Sequence, residues 1–65
     1  MTLIVNGEIR ETETKTILEL LQELGIEEKV MAAAINMEVV KKELWATQTF
    51  NENDKVELLH FVGGG

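Results

Sequence analysis

The sequence contains no cysteine. That removes disulfide scaffolds, thiolate metal sites and cysteine nucleophiles from consideration. Histidine is nearly absent too. His60 is the only one in 65 residues, and a lone histidine without cysteine cannot complete a typical metal site. Basic residues are scarce, with 6 Lys+Arg against 12 Asp+Glu and a formal net charge of −6. A nucleic-acid binder would carry a basic stripe, so nucleic acid is excluded as a partner, whereas an acidic surface suits proteins with basic faces. No apolar run approaches a membrane span, and no basic segment followed by a hydrophobic one opens the chain. These absences predict no membrane partner and a cytoplasmic address.

Catalytic machinery is also missing. The carboxylates are numerous but scattered over turns and one polar helix face, where they read as solvated surface. No nucleophile–base pair, phosphate loop or metal motif stands out. The sequence therefore predicts neither an enzyme nor a bound cofactor.

What is present fits one small domain. A chain of 65 residues buries about 60% of its unfolded surface, so the core is small. The hydrophobic share of 45% is that of a folded chain and not of a disordered one. No internal repeat, low-complexity segment or linker is evident before the C-terminal glycines. "TLIVNGEIRE" places Asn6-Gly7 between β-rich runs, the signature of a tight hairpin with strands over Thr2 to Val5 and Glu8 to Glu11. In "TKTILELLQELGI", Thr16 and Glu19 form a capping box. Ile17, Leu20, Leu21 and Leu24 recur at helical spacing, and Gly25 suits a left-handed helix end closed by Ile26. Glu19, Gln22 and Glu23 are left facing water.

"VMAAAIN" is a further strand over Val30 to Asn36, although alanine alone favours helix. The run is short and uncapped, and it is followed by Asn36 and the β-branched "EVV", a brief strand over Glu38 to Val40. "KKELW" reads as one helical turn, with Trp45 capping an edge of the core, and "TQTF" as an extended edge segment. "NEND" is a turn of residues that bond their own backbone. "KVELLHF", Lys55 to Phe61, is the last strand. The three methionines, Met1, Met31 and Met37, show no functional spacing. The class is α+β, a mixed sheet of about five strands packed on one principal helix.

A single helix covers one face of a sheet. Strand alternation assigns Leu3, Val5, Met31, Ala33, Ile35, Val56 and Leu58 to the helix side. Ile4, Ala32, Ala34, Leu59 and Phe61 fall on the opposite face. If the first, third and last strands are neighbours, they form one apolar patch, and such patches in soluble domains mark interaction sites. The alternatives are that the two sides are exchanged or that loops cover the patch. His60 reads as a partly exposed strand histidine near the partner surface rather than a catalytic base.

The patch leads into "HFVGGG". Glycine loses the most backbone freedom on ordering, so a terminal run of it is either idle or held and used by another molecule. A glycine end can also be a cloning scar or a frayed terminus.

The opening "VNGE", the "ILELLQELGI" helix, the "AINMEVV…ELW" segment and the closing "NDKVELLHFVGGG" together resemble the ThiS family from end to end. Those proteins are the small ubiquitin-like β-grasp sulfur carriers of thiamin biosynthesis. A scar would not extend a strand in the family's own "HFVGGG" form. The resemblance implies a β-grasp domain over residues 1–62 and a flexible glycine tail over 63–65. It implies that a ThiF-type enzyme uses ATP to adenylate the carboxylate of Gly65. Sulfur from a donor such as a cysteine desulfurase persulfide then gives a thiocarboxylate, which passes to a ThiG-type thiazole synthase. Val62, Gly63 and Gly64 would enter the partner's slot, and Leu59, Phe61, Ile4, Ala32, Ala34 and His60 would dock on its rim. Three extended glycines reach about 10 Å.

Two departures stand out. Asn36-Met37 occupies a position where the family often has Asn-Gly. Methionine at positive φ is strained, so a different turn type is expected there. A proline common before the tryptophan is absent. The rival readings are a MoaD-like sulfur carrier for molybdopterin, a ubiquitin-like protein modifier and a plain interaction domain. Chain length and three terminal glycines favour ThiS over MoaD.

Overall fold

Two hairpins, one helix and a central last strand make up residues 1–60, which the computed structural model describes. In the first hairpin, β1 (Thr2–Val5) pairs antiparallel with β2 (Glu8–Glu11). Asn6 and Gly7 join them at φ 49° and 85°, both in the left-handed region that a tight hairpin turn demands.

Helix α1 spans Ile17–Leu24 and is capped at both ends. The Thr16 hydroxyl accepts from the Glu19 N–H at 3.2 Å, and the Glu19 carboxylate accepts from the Lys15 N–H at 2.7 Å. The capping box thus closes one residue further upstream than its usual form. At the other end Gly25 adopts φ 72°. Its N–H donates to the Gln22 carbonyl at 3.1 Å, and the Ile26 N–H donates to the Leu21 carbonyl at 3.0 Å. This is the Schellman arrangement, with Ile26 folding back on the core.

A single 3₁₀ turn over Glu27–Lys29, not anticipated from the sequence, leads into β3 (Val30–Ile35). Burial overrides alanine's helical preference here: Ala33 is enclosed between α1 and neighbouring strands. Then follow β4 (Glu38–Val40), a 3₁₀ turn over Lys42–Leu44 and β5 (Lys55–His60). The strand order is β2-β1-β5-β3-β4. β5 lies parallel to β1 and antiparallel to β3. A five-stranded mixed sheet with one principal helix is the ubiquitin-like β-grasp arrangement.

The core is one cluster. Leu3, Ile17, Leu20, Leu21 and Val56 are fully enclosed, with Val5, Val30, Ala33, Ile35 and Leu58 around them. Each such aliphatic side chain contributes about 1.5–3 kcal/mol through burial. Trp45 and Phe50 complete the core from the segment before β5. Trp45 does more than cap an edge: it is buried, and its indole N–H donates to the Val40 carbonyl at 3.0 Å.

Four expectations are corrected. Met31 is not on the helix side. The β3–β5 register shifts between Val30 and Ala32, so Met31 is the extra residue of a bulge and stands 64% exposed while Val30 turns inward. "TQTF" is an extended edge only in its second half, where the Phe50 N–H donates to the Lys15 carbonyl at 3.1 Å. The turn after Leu44 continues through Gln48, whose N–H donates to the Leu44 carbonyl at 2.8 Å, and only Thr49 makes an isolated bridge, to Thr16. The Asn36-Met37 turn keeps the geometry of an Asn-Gly turn, with φ 50° and 72°, and accepts the strain at methionine. A local repeat does exist, "VNGE" at 5–8 and "INME" at 35–38, one copy at the turn of each hairpin.

Candidate functional site

The predicted site residues converge on β5. Placing β5 between β1 and β3 makes these three strands neighbours, as the patch requires. Ala32 lies opposite Leu59 and Ala34 opposite Glu57, while Ile4 lies beside Lys55. On the face away from α1, β5 therefore presents Lys55, Glu57 and Leu59 in succession. The apolar surface is divided by that pair of charges and is not continuous.

On one side Ala32 and Ala34 form the floor of a shallow groove, with Leu59 and Val39 as its walls. Leu59 is 62% exposed, and Val39 pairs with Ala34 at the opposite margin. The small alanines make the depression, because a larger side chain at either position would fill it. On the other side half-buried Ile4 pairs with Ile9, which is exposed. Sequence reading missed Ile9 and Val39, although each alternates with charged or inward-facing neighbours in its strand and was detectable by period two.

His60 stands apart from this set. It follows Leu59 on the strand and so turns to the opposite face. There it lines a cleft with Leu24, Ile26, Leu58 and Arg10, between α1 and the first hairpin. Phe61, Val62, Gly63, Gly64 and Gly65 lie outside the described residues.

The backbone of β5 is held by an asparagine at each end. Asn36 Oδ1 accepts from the Lys55 N–H at 3.0 Å, and its backbone N–H donates to the Lys55 carbonyl at 2.7 Å. Asn36 Nδ2 donates to the Asp54 carboxylate at 2.9 Å, and the Asn51 N–H donates to the same buried group at 2.8 Å. At the far end Asn6 Oδ1 accepts from the Leu58 N–H at 2.8 Å while Nδ2 donates to the Leu58 carbonyl at 3.3 Å. Both asparagines sit at positive φ, a conformation that asparagine tolerates better than most residues. The "N-x-E" repeat is the signal that would have found them.

Among the described residues no cluster of three or more His, Asp or Glu side chains is arranged to hold a metal ion. No described helix is long and apolar enough to cross a membrane. What the geometry offers is an open sheet face, divided by charge, on the strand that leads to the glycines.

Comparison with known proteins identifies the type. The ThiS family model matches residues 3–65. The chain is 36% identical over 53 residues to the sulfur carrier protein ThiS of Bacillus subtilis, covering 82% of this chain and 80% of that one. It is 39% identical over 66 residues to a thiazole synthase of Paramagnetospirillum magneticum, where the match takes in 100% of this chain but only 20% of the relative. The chain thus spans about one fifth of the length of that relative. The crystal structure of a thiamine biosynthesis protein (ThiS) from Geobacter metallireducens superposes with a TM-score of 0.80 at 34% identity, with both chains covered completely. The chain therefore belongs to the ThiS family and shares the β-grasp fold of its solved member.

Proposed function

We propose that the carboxylate of Gly65 is the sulfur-bearing group, activated by a ThiF-type enzyme and delivered to a thiazole synthase. The observation that carries this reading is that the family match runs through the glycine end, to residue 65.

The chemistry follows from the group itself. An α-carboxylate with a pKa of about 3.3–3.7 is ionised at neutral pH and is a poor electrophile. Attack of this carboxylate on the α-phosphorus of ATP, with loss of pyrophosphate, gives an acyl adenylate whose AMP can leave. A persulfide, such as that of a cysteine desulfurase, attacks the acyl carbon and expels AMP. A thiol then cleaves the sulfur–sulfur bond and leaves the thiocarboxylate on Gly65. The carrier supplies reach and docking, and the partner supplies ATP and the catalytic groups. Glycines 63–65 carry no Cβ and suit a narrow slot. The segment from Phe61 to Gly65 spans at most about 16–18 Å when extended, so the open face can dock at a slot's rim while Gly65 lies within it. The match of this whole chain to one fifth of a thiazole synthase supports that enzyme class as the acceptor.

Incubation with a ThiF-type enzyme, ATP and a persulfide donor, followed by intact mass, should show one oxygen replaced by sulfur at the C-terminus. Deleting Gly65 or adding a residue after it should abolish the product without altering thermal stability, because small misplacements of a reacting group are costly in rate. A tail-extended protein that gains sulfur as fast as the native one would remove Gly65 from the mechanism.

A further inference from the structure

β1 stops pairing before β5 does. Its last backbone contact is the Asn6 N–H donating to the Val56 carbonyl at 2.9 Å, after which the chain turns away through Gly7. The Asn6 side chain carries the ladder one step further, through its two bonds to Leu58. A primary amide offers the same donor and acceptor as a peptide unit, so it stands in for the strand residue that the turn removes. Past Leu58, the described residues Leu59 and His60 pair with β3 alone, across the Met31 bulge. Leu58 is thus the last described residue of β5 held from both flanks.

We propose that Asn6 is a positioning residue for the carrier's reaction. Its amide fixes the end of β5 from which the C-terminal segment continues, so that Gly65 is presented to the adenylating enzyme from a rigid base. This inference rests on the function proposed above. Ordering a loose segment at the moment of binding opposes association, and a base that is already fixed removes part of that cost. The effect therefore belongs in the encounter with the partner more than in the chemical step.

The fold supplies its own control. Asn36 clamps the opposite end of β5, at Lys55, far along the strand from the exit. Asn6→Gly suits the positive φ of the turn and removes the side-chain clamp; Asn36→Gly suits its turn likewise and removes the clamp at the distant end together with the bond to Asp54.

Adenylation kinetics of the full chain with a ThiF-type enzyme and ATP, read by pyrophosphate release well below each variant's unfolding temperature, should separate the two. The expected result is a rise in KM of about three- to tenfold for Asn6→Gly with kcat nearly unchanged, and no such rise for Asn36→Gly. Asn6→Asp, which keeps the acceptor for the Leu58 N–H and loses the donor, should lie between native and Asn6→Gly. It also serves if the glycine variant does not fold. Amide exchange of the free carrier should accelerate from Leu58 to His60 in Asn6→Gly and not in Asn36→Gly. An unchanged KM, or equal rises in both variants, would overturn the proposal. Were the native carrier not adenylated at all, the proposed function would fail by itself, and unaltered exchange from Leu58 to His60 in Asn6→Gly would separately overturn the clamp.

Discussion

The side-chain amide of Asn36 donates to the carboxylate of Asp54 across a sequence separation of 18 residues, at 2.9 Å. Asp54 is buried, and its second oxygen accepts from the Asn51 N–H. One carboxylate therefore ties the second hairpin to the loop that starts β5. Asp54→Ala would remove the shared, charged acceptor of two part-buried hydrogen bonds. The expected loss is about 2–3 kcal/mol, read from urea unfolding. A loss below about 0.5 kcal/mol would show that water replaces the carboxylate freely.

Met37 sits at φ 72° and is 85% exposed, so the side chain gains little from packing while the backbone is strained. Met37→Gly should stabilise the domain by about 0.5–1 kcal/mol, the relief of strain exceeding glycine's entropic cost. Thermal unfolding should then rise by roughly 2–8 °C. A lower midpoint would mean that the methionine side chain makes a compensating contact.

Gly25 poses the opposite case. A Cβ there would meet nothing within 4 Å, yet φ is 72°. Gly25→Ala should cost about 1 kcal/mol through conformation alone. The same thermal measurement decides it, and a neutral result would remove the left-handed cap as a stabilising feature.

The bulge at Met31 separates two adjacent residues by consequence. Met31→Lys should change stability by less than about 0.5 kcal/mol, since the side chain is exposed. Val30→Ala should cost about 1–3 kcal/mol because it opens space in the core. Parallel denaturation curves of the two variants test the pair, and a severe loss in Met31→Lys would place that side chain back inside.

Leu59→Asp should keep the fold, because Leu59 is largely exposed, and should weaken binding to the adenylating enzyme by at least about 2 kcal/mol if it is a docking anchor. Calorimetric titration with that enzyme measures the loss. Native affinity in a folded Leu59→Asp protein would move the docking surface elsewhere, with the Ile4–Ile9 side of the face the next place to look.

Local signals made most of the architecture legible. The Asn6-Gly7 hairpin, the Thr16 and Gly25 caps and the α1 stripe each depend on residues a few positions apart, and the strand limits at β1, β2 and β4 followed directly. What escaped depends on contacts distant in sequence. The Met31 bulge arises from how β3 must meet β5, and nothing within "VMAAAI" encodes it. The left-handed Met37 is enforced by hairpin pairing and by Asn36 reaching β5, against the methionine's own preference. Alternation within β5 already sets Lys55 and Glu57 on the face of Leu59, but that they come between Ile4 and the alanines required the order and register of β1, β5 and β3.

The position of β5 has a consequence for biosynthesis. The strand made last occupies the middle of the sheet, so each hairpin lacks its inner neighbour until Lys55 to His60 has been synthesised. Neither hairpin has enough partners to persist alone in water. Nascent chains arrested before Val56 should therefore be digested rapidly by protease, and those extended past His60, once clear of the ribosome, should resist. Folding thus waits on the strand that leads into the glycines, so that chains cut short of it should be cleared by proteolysis before they can compete with complete ones.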